Sequence, residues 1–370
     1  MRIQVNFIIK EIKLRKLIKK IVLSLNIIVA GALLLSYMAV HISPVVFSLP
    51  AFFGLAYPYI LLINALFLVF WAVKLKREVW ISLVVILIGI THLNNYIQFG
   101  GGDLGSHTFN LLSYNLRLFN HYEVNSGSEK SIIDLINNQD AEIICLQEFY
   151  MEGSQGNIPG GFTSMLSKEY NTHIKSIYRS GIRFYGIVTL SNYPIVNRGD
   201  IIHPNSSSLS IFTDISVGED TIRVYNNHLQ SFRLRRLESS FIGEISGGDQ
   251  NDMIKEFKTL SISLKQGFAQ RARQAEVLRA HIESSPYPVI ICGDFNDTPV
   301  SYSYRKIRKN LLDAFVEAGN GAGFTYRDKY PPNRIDYILY DEKLFCSGFK
   351  LTRERYSDHY PISAYFRIVN

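Results

Sequence analysis

One stretch of the sequence places a carboxylate and a carboxamide directly after an apolar run. Residues 290–296 read Ile-Ile-Cys-Gly-Asp-Phe-Asn. A short unbroken apolar run is typical of a strand buried on both faces, and strand alternation points Asp294 and Asn296 the same way. Burying two such groups together costs free energy unless a site uses both. The stretch therefore predicts either an Asx-rich turn or a polar site at the end of a strand.

Five further β-rich segments carry a polar side chain at or next to the end of an apolar run. Together with the first segment they supply carboxylates, amide groups and two imidazoles. Oxygen ligands and imidazoles in this combination suit hydrolysis assisted by a divalent metal ion. The additional residues are Asn115, Glu148, His228, Asp336, Asp358 and His359.

These segments also follow the order of a known motif series. The sequence resembles the endonuclease/exonuclease/phosphatase superfamily, which includes pancreatic-type deoxyribonucleases, abasic-site endonucleases, inositol-phosphate phosphatases and neutral sphingomyelinases. The matching motifs are Ser-Tyr-Asn115, Leu-Gln-Glu148, Asn-His228-Leu, Gly-Asp294-Phe-Asn296, Arg-Ile-Asp336-Tyr and Ser-Asp358-His359. Tyr185–Pro194 matches a central strand and turn, and the resemblance covers about residues 107–370. It implies an α/β fold, a four-layered sandwich of two mixed β-sheets flanked by helices, with the site at one rim.

The resemblance implies a metal site for Mg²⁺ or Mn²⁺. Glu148 would be the principal ligand, Asn115 would orient or share the ion through its amide oxygen, and Asp358 would support it. A hard cation keeps several waters, so one or two protein carboxylates suffice. Each residue also has a plain structural alternative: Asn115 could cap a turn, and Glu148 could begin a helix.

The resemblance implies catalytic roles for five more residues. His359 would be the general base for the attacking water, and Asp336 would hold its far nitrogen, unless Asp336 merely pairs with a neighbouring arginine. Asp294 would position the water, and Asn296 would donate to the phosphoryl oxygens. His228 would clamp phosphate or protonate the leaving oxygen. Which histidine activates the water stays open.

The first hundred residues have a different character. Ile21–Ile42, Leu55–Val73 and Val79–Phe99 are apolar runs without Asp, Glu, Lys or Arg. Each has roughly the 20 residues that cross a hydrocarbon core as a helix. A cleaved signal peptide fits the first run less well, because it is long and two further runs follow. Residues 1–100 are therefore predicted to be a membrane anchor of three transmembrane helices.

Charge predicts the orientation of this anchor. Residues 1–100 carry a net charge of +8, seven of the ten basic residues precede the first run, and three lie between the second and third. Basic segments stay cytoplasmic, so three crossings would place residues 107–370 outside the cytoplasm in a multi-pass cell-membrane protein. A basic arm that binds nucleic acid is the alternative for the N-terminus.

Two other segments and the cysteines complete the domain prediction. Residues 101–106 are expected to form a short linker before a catalytic domain over 107–370. Within that domain, residues 232–285 predict a helical crossover that either packs on a sheet or leans over the site with its arginines towards phosphate or membrane. The three cysteines are expected to be buried free thiols.

The chain is therefore predicted to be a membrane-anchored, metal-dependent phosphodiesterase that hydrolyses phosphoester bonds. Its candidate substrates are phospholipid or sphingolipid headgroups, or another phosphoester close to the bilayer. An extracytoplasmic nuclease that degrades DNA is the alternative. Outside the anchor the charge is close to neutral, whereas duplex binding depends on many basic contacts with phosphates. A catalytically inactive membrane scaffold is a third possibility, which the intact motif series disfavours.

Overall fold

The computed structural model describes residues 2–102, 107–120, 128–152, 162–180, 183–204, 206, 208–232, 250–327 and 332–369. The chain divides into two compact units. The helical unit comprises Met1–Leu93 with Val300–Tyr302, and the α/β unit comprises Asn94–Pro299 with Ser303–Asn370. Most of the predicted linker at 101–106 lies outside the described residues.

The first unit consists of helices with a polar interior and an apolar exterior. The helices are α1 (Arg2–Met38), α2 (Leu49–Leu55), α3 (Tyr57–Val73), α4 (Val79–Ile88) and α5 (Ile90–Asn94), whose last residue lies in the α/β unit.

Side chains from three of these helices form a buried hydrogen-bonded cluster. Asn26 donates to the Ser82 hydroxyl at 2.7 Å and accepts from the Trp71 indole N–H at 2.9 Å, and Ser82 donates to Asn64 at 3.4 Å. Large apolar side chains of the same helices are exposed instead. Soluble helices have the opposite distribution, whereas helices in lipid hydrogen-bond across their interfaces through such polar residues.

The prediction of three continuous spans is not supported. Among the described residues, one helix, over Lys10–Met38, is long and apolar enough to cross a membrane. Helices α2 and α3 would add a second span only if they act as one, because they meet at an angle of 70°. The third predicted run is divided between α4 and α5 at Gly89, where a side chain would collide with the Tyr37 ring.

The α/β unit is built on two six-stranded sheets. Its strands are β1 (Ile97–Gln98), β2 (Phe109–Asn115), β3 (Ile143–Glu152), β4 (Asn171–Ser180), β5 (Arg183–Ser191), β6 (Ile195–Ile201), β7 (Leu209–Val217), β8 (Asp220–His228), β9 (Val289–Asp294), β10 (Leu312–Asp313), β11 (Gly321–Ala322), β12 (Asp336–Tyr340), β13 (Leu344–Leu351) and β14 (Ile362–Ile368). The first sheet has the order β13-β14-β2-β3-β5-β4 and the second β10-β12-β9-β8-β7-β6. Only β2–β3 and β8–β9 pair in parallel within these sheets of the described chain, so both sheets are mixed.

Strand alternation explains the layers. Leu111 and Ile290 point into the core between the sheets, whereas the next residues, Leu112 and Ile291, point outwards into separate apolar clusters. Helix α6 (Ser128–Gln139) covers the outer face of the first sheet, and α7 (Gln250–Glu283) covers that of the second. The remaining helices of this unit's described part are α8 (Tyr302–Arg308) and α9 (Ala314–Ala318). The α/β prediction of two mixed sheets flanked by helices is confirmed.

Helix α7 packs on the second sheet, in agreement with the first interpretation of the crossover segment. Its Arg271 is fully buried, and the guanidinium donates to Asp297 at 3.0 Å. Arg279 is also buried and pairs with Glu283 at 2.9 Å. These two arginines therefore do not reach out towards phosphate or membrane. The expected first half of the crossover, residues 233–249, lies outside the described residues. The three cysteines are buried and free, as expected.

Candidate active site

Three site residues occupy one row across neighbouring strands of the second sheet. His228 at the end of β8 pairs with Asp294 at the end of β9, and Asp294 pairs with Asp336 at the start of β12. Gly293 allows this close approach. Its φ is +121°, and a Cβ there would lie 2.0 Å from the Asn227 carbonyl oxygen. The glycine that ends the apolar run is thus required by both its conformation and its contacts.

Asp294 links the two sheets. Its Oδ2 accepts hydrogen bonds from the Asn115 amide at 3.0 Å and the Asn296 amide at 3.2 Å, and its Oδ1 accepts from the Asn296 backbone N–H at 2.7 Å. Asn115 ends β2 in the first sheet, and its amide oxygen accepts from the Arg117 backbone N–H at 3.0 Å. The orientation of the Asn115 amide is therefore fixed from both ends.

Glu148 lies in an irregular part of β3. The register of β3 against β5 shifts between Leu146 and Phe149, and Glu148 has a φ of 47°. This left-handed conformation is uncommon for a residue with a side chain. Glu148 Oε1 lies 3.6 Å from His228 Nε2, which is buried and makes no hydrogen bond with any residue that the structure describes. The bulge thus brings a carboxylate from the first sheet to the imidazole of the second.

His359 is held by two carboxylates. Its Nδ1 lies 3.0 and 3.2 Å from the two oxygens of Asp336, and its Nε2 lies 3.8 Å from Asp294 Oδ2. The alternative in which Asp336 pairs with Arg334 does not occur, because Arg334 pairs with Asp313 at 2.5 Å.

Asp358 lies at the edge of the same group. One carboxylate oxygen is 4.0 Å from His359 Nε2, and the other is 3.3 Å from Arg117 Nε. All eight residues singled out in the sequence therefore belong to one continuous set of contacts around Asp294.

The two histidines have opposite electrostatic surroundings. Burial lowers the pKa of His228, and the positive charge of His359 adds to this effect. Burial would also lower the pKa of His359, but Asp336 and Asp294 outweigh it and raise the pKa to about 10. Burial, together with Asp336, raises the pKa of Asp294 to about 6 despite the two imidazoles. The neighbouring carboxylates thus favour the protonated form of His359, which can donate to an oxyanion, over the neutral form that the expected role of base requires.

Within the described part of the chain, one group of acidic and histidine side chains lies close enough together to hold a divalent cation. One ligand atom from each of Asp294, Asp336 and His359 lies within 4.8 Å of the other two. A hard cation prefers oxygen ligands, however, and His359 is already occupied by Asp336. The predicted set of Glu148, Asn115 and Asp358 offers oxygen atoms only. The buried His228 Nε2 beside Glu148 has no hydrogen-bond partner among the described residues, so this side of the cluster has a polar atom that a bound water or substrate oxygen could satisfy.

Sequence reasoning missed two residues that organise the site. Arg117 contacts Asp358 through its side chain and Asn115 through its backbone N–H. Its position depends on three successive residues, 117–119, in the left-handed conformation. None of the three is a glycine or an asparagine, the residue types that usually indicate this conformation in a sequence. Thr325 accepts from the Asp336 backbone N–H at 3.1 Å. Nothing in the apolar pattern marks either residue; only the proximity of Arg117 to Asn115 in sequence gave a signal.

Comparisons with known proteins bear on the family and the fold of the α/β unit. The family model described as the endonuclease/exonuclease/phosphatase family matches residues 108–359, which is more than half of the chain. A second model, described as a domain of unknown function (DUF8431), matches residues 19–96. The comparison with curated proteins gives no match.

Several solved structures share the fold. The endonuclease/exonuclease/phosphatase from Bacteroides vulgatus is 16% identical with a TM-score of 0.52, covering 70% of this chain and 98% of that one. A conserved protein of unknown function from Enterococcus faecalis V583 is 17% identical with a TM-score of 0.51, covering 70% and 99%. The mannosyl-6-phosphatase from Bacteroides thetaiotaomicron VPI-5482 is 15% identical with a TM-score of 0.51, covering 70% and 100%.

At these identities the solved structures show a shared fold, and the family assignment rests on the family model. Members of this family are hydrolases that act on phosphoester bonds, and they are generally dependent on a divalent metal. The chain belongs to the endonuclease/exonuclease/phosphatase family.

Proposed function

We propose that this protein is a membrane-anchored, divalent-metal-dependent phosphodiesterase whose substrates are phosphoesters close to the bilayer, lipid headgroups first among them. The observation that carries the proposal is the continuous set of contacts around Asp294. It contains carboxylates, amide groups and two imidazoles of opposite pKa shift. A structural polar cluster has no need for a row of three ionisable side chains across adjacent strands.

Each side chain has a role that its contacts support. Glu148, with Asn115 and Asp358, would hold Mg²⁺ or Mn²⁺, which when bound polarises a phosphoryl oxygen. Asp294 faces both imidazoles, with Oδ2 3.8 Å from His359 Nε2 and 3.9 Å from His228 Nε2. A water held by Asp294 is therefore flanked by both rings.

The remaining steps concern proton transfer and charge. Asp294 orients the attacking water and accepts its proton. His359, fixed by Asp336, donates to the phosphoryl oxygens as negative charge develops, and Asn296 supports Asp294 through its backbone and amide N–H groups. His228 would lie beside the leaving oxygen, which departs as an anion when its bond to phosphorus breaks and takes its proton from water. This reverses the assignment of His359 as base that the family resemblance suggested.

The distribution of polar and apolar residues in the helical unit supports the membrane anchor. Its polar cluster is buried, while Ile28, Leu66 and Trp80 are each more than 60% exposed. Such a surface is unfavourable in water and favourable against acyl chains. Carbonate washing of membranes tests this proposal. The full chain should stay in the pellet, and its release into the supernatant would contradict the anchor.

The side of the membrane is a separate proposal. The basic N-terminal segment is expected to stay in the cytoplasm, so an odd number of crossings places the α/β unit outside. Protease added to intact cells should then remove residues beyond about 107. Digestion only after lysis would mean an even number of crossings, and it would overturn the outside location while leaving the anchor intact.

A substrate panel tests the chemistry. The full chain in detergent should hydrolyse a phosphodiester with Mg²⁺ or Mn²⁺ and lose this activity with EDTA. Phospholipids, sphingolipids, phosphomonoesters and DNA would be compared at low and high salt. Preference for lipid with weak salt dependence would support the proposal. Preference for DNA with a steep salt dependence would favour the nuclease. Absence of activity on every substrate would contradict an enzyme of this class.

A further inference from the structure

The chain enters the α/β unit through a short segment that is bonded into it. Residues Ile97 and Gln98 form strand β1, which pairs antiparallel with β11 (Gly321–Ala322). The next residue, Gly323, donates its N–H to the Tyr96 carbonyl at 2.9 Å. Tyr96 is buried, and its ring lies 6.2 Å from that of Phe324. The first residues after the helical unit are thus a fixed part of the α/β unit.

One connection from this segment leads to Arg334. This arginine is 1% exposed, and its Nη1 donates to the Asn95 carbonyl at 2.9 Å while Nη2 donates to Asp313 at 2.5 Å. The guanidinium also lies over the Tyr337 ring at 4.8 Å. Arg308 donates to the Asn95 side chain at 3.0 Å. Arg334 precedes Asp336 by two residues, so the position of the junction segment and the position of Asp336 depend on the same guanidinium.

A second connection runs through Thr325, two residues after Gly323. Its hydroxyl accepts from the backbone N–H groups of Ile335 and Asp336, both at 3.1 Å. Its carbonyl accepts from the Tyr360 N–H at 2.7 Å. Tyr360 follows His359, and Asp336 holds the His359 ring. Thr325 therefore contacts the backbone on both sides of the Asp336–His359 pair, and its own position is set by the strand that pairs with β1.

We infer that the junction segment Asn95–Gln98, together with Arg334 and Thr325, positions the Asp336–His359 pair for catalysis. This inference rests on the proposed function. The three elements are separate from the proposed metal ligands and catalytic residues, and they fix the backbone from which Asp336 extends. Catalytic geometry tolerates displacements of only about 0.5 Å. The residues that position this pair therefore include some that precede the region matched by the family model, residues 108–359, and a change in the junction segment reaches the site through covalent and hydrogen-bonded links.

Arg334→Lys in the full chain tests the first connection. A lysine ammonium cannot donate to the Asn95 carbonyl and Asp313 with the planar geometry of a guanidinium. We expect kcat for a soluble phosphodiester to fall about 10- to 100-fold with KM changed less than about threefold, because misplacement of a catalytic group affects the transition state. The NMR signal of the His359 Nδ1–H, measured without substrate, should shift or broaden.

Arg223→Lys is the matched control. Arg223 is also buried, pairs with Asp214 at 2.6 and 2.7 Å and lies 4.4 Å from the Phe212 ring. It lies near the opposite end of β8 from the site. We expect Arg223→Lys to lower the melting temperature about as much as Arg334→Lys does, but kcat and the His359 signal should stay at wild-type values. Equal effects of both variants on kcat per folded molecule would overturn the inference.

Ile97→Pro provides a second test that leaves every buried charge in place. Proline disturbs the β1–β11 pair, and Ile97 is only half-buried. We expect the same direction of change in kcat and in the His359 signal as for Arg334→Lys. If Arg334→Lys does not fold, Ile97→Pro is the variant that tests the inference. Wild-type kcat with an unchanged signal would refute the positioning role. If the wild-type chain hydrolyses nothing, the proposed function fails, whereas the NMR comparison still tests the positioning of His359.

Discussion

Replacement of Asp336 by asparagine isolates the carboxylate that holds His359. The two Asp336 oxygens lie 3.0 and 3.2 Å from His359 Nδ1, and both residues are buried. The substitution keeps the size of the side chain but removes its negative charge. One hydrogen bond to a charged group contributes about 1.5–3 kcal/mol. Since about 1.4 kcal/mol corresponds to a factor of ten, we expect kcat to fall about 10- to 150-fold.

The introduced asparagine would have a second effect if its amide nitrogen faced the ring. Nδ1 of His359 would then have to accept, the tautomer or protonation of the ring would change, and the loss would approach the ~10⁴-fold cost of the corresponding change in a Ser-His-Asp triad. The lower limit is therefore about tenfold. Steady-state kinetics on a soluble phosphodiester with Mg²⁺ would measure kcat and KM, and a thermal melt would confirm folding.

Asp220→Asn is the matched control for this substitution. Asp220 begins β8 at the end away from His228 and is exposed, so removal of its charge should leave kcat unchanged. A folded Asp336→Asn variant with wild-type kcat would refute the role of the Asp336–His359 pair. An equal fall in kcat in the Asp220→Asn control would attribute the effect to net charge instead of position.

Three further predictions concern the metal, the backbone and pH. Glu148→Gln should weaken Mn²⁺ binding at least about tenfold in an EPR titration, and unchanged affinity would favour the Asp and His donor set. Gly293→Ala should lower the free energy of unfolding by about 3 kcal/mol, because the new side chain combines backbone strain with a collision. Gly218 has a φ of +65° and no described atom within 4 Å of an added Cβ, so Gly218→Ala should lower the free energy of unfolding by about 1 kcal/mol and preserve kcat. Burial lowers the pKa of His173 and His203 to about 4, whereas a histidine in the unfolded chain has a pKa of about 6.5. Between these two values the unfolded state binds more protons than the folded state. The free energy of unfolding should therefore fall as pH drops from about 6.5 to about 4. Thermal melts should show a shallower pH dependence in the corresponding glutamine variants; an unchanged slope would contradict this account.

The strand ends of the site could be predicted from local pattern. Asn115, His228 and Asp294 are the last residues of their strands, because each apolar run alternates between two buried faces and stops where a polar group or glycine begins. The pairing of these strands could not be predicted from the same pattern. Asn115 and Asp294 are 179 residues apart, and an apolar run on its own does not specify its neighbour or its register.

The prediction of three continuous N-terminal spans is not supported, for a related reason. Apolar content does predict where helices form, and α1, α3 and α4 expose large apolar side chains. Helix continuity depends instead on local backbone contacts. The second predicted run begins at a break between α2 and α3 beside Pro58, and the third is broken at Gly89. A hydropathy pattern averages over about 20 residues, so it does not register a bend caused by one of them.

The roles of the two histidines depend on quantities that no motif contains. Both follow a polar residue at a strand edge, and both are buried. His359 has a carboxylate in direct contact and a second one 3.8 Å away, and these overcome the desolvation of its charged form. His228 faces carboxylates at 3.6 and 3.9 Å without a hydrogen bond, and desolvation prevails. The direct contact of His359 with Asp336 therefore accounts for much of the difference in the direction of the two pKa shifts, and the spacing of residues along the chain does not determine that contact.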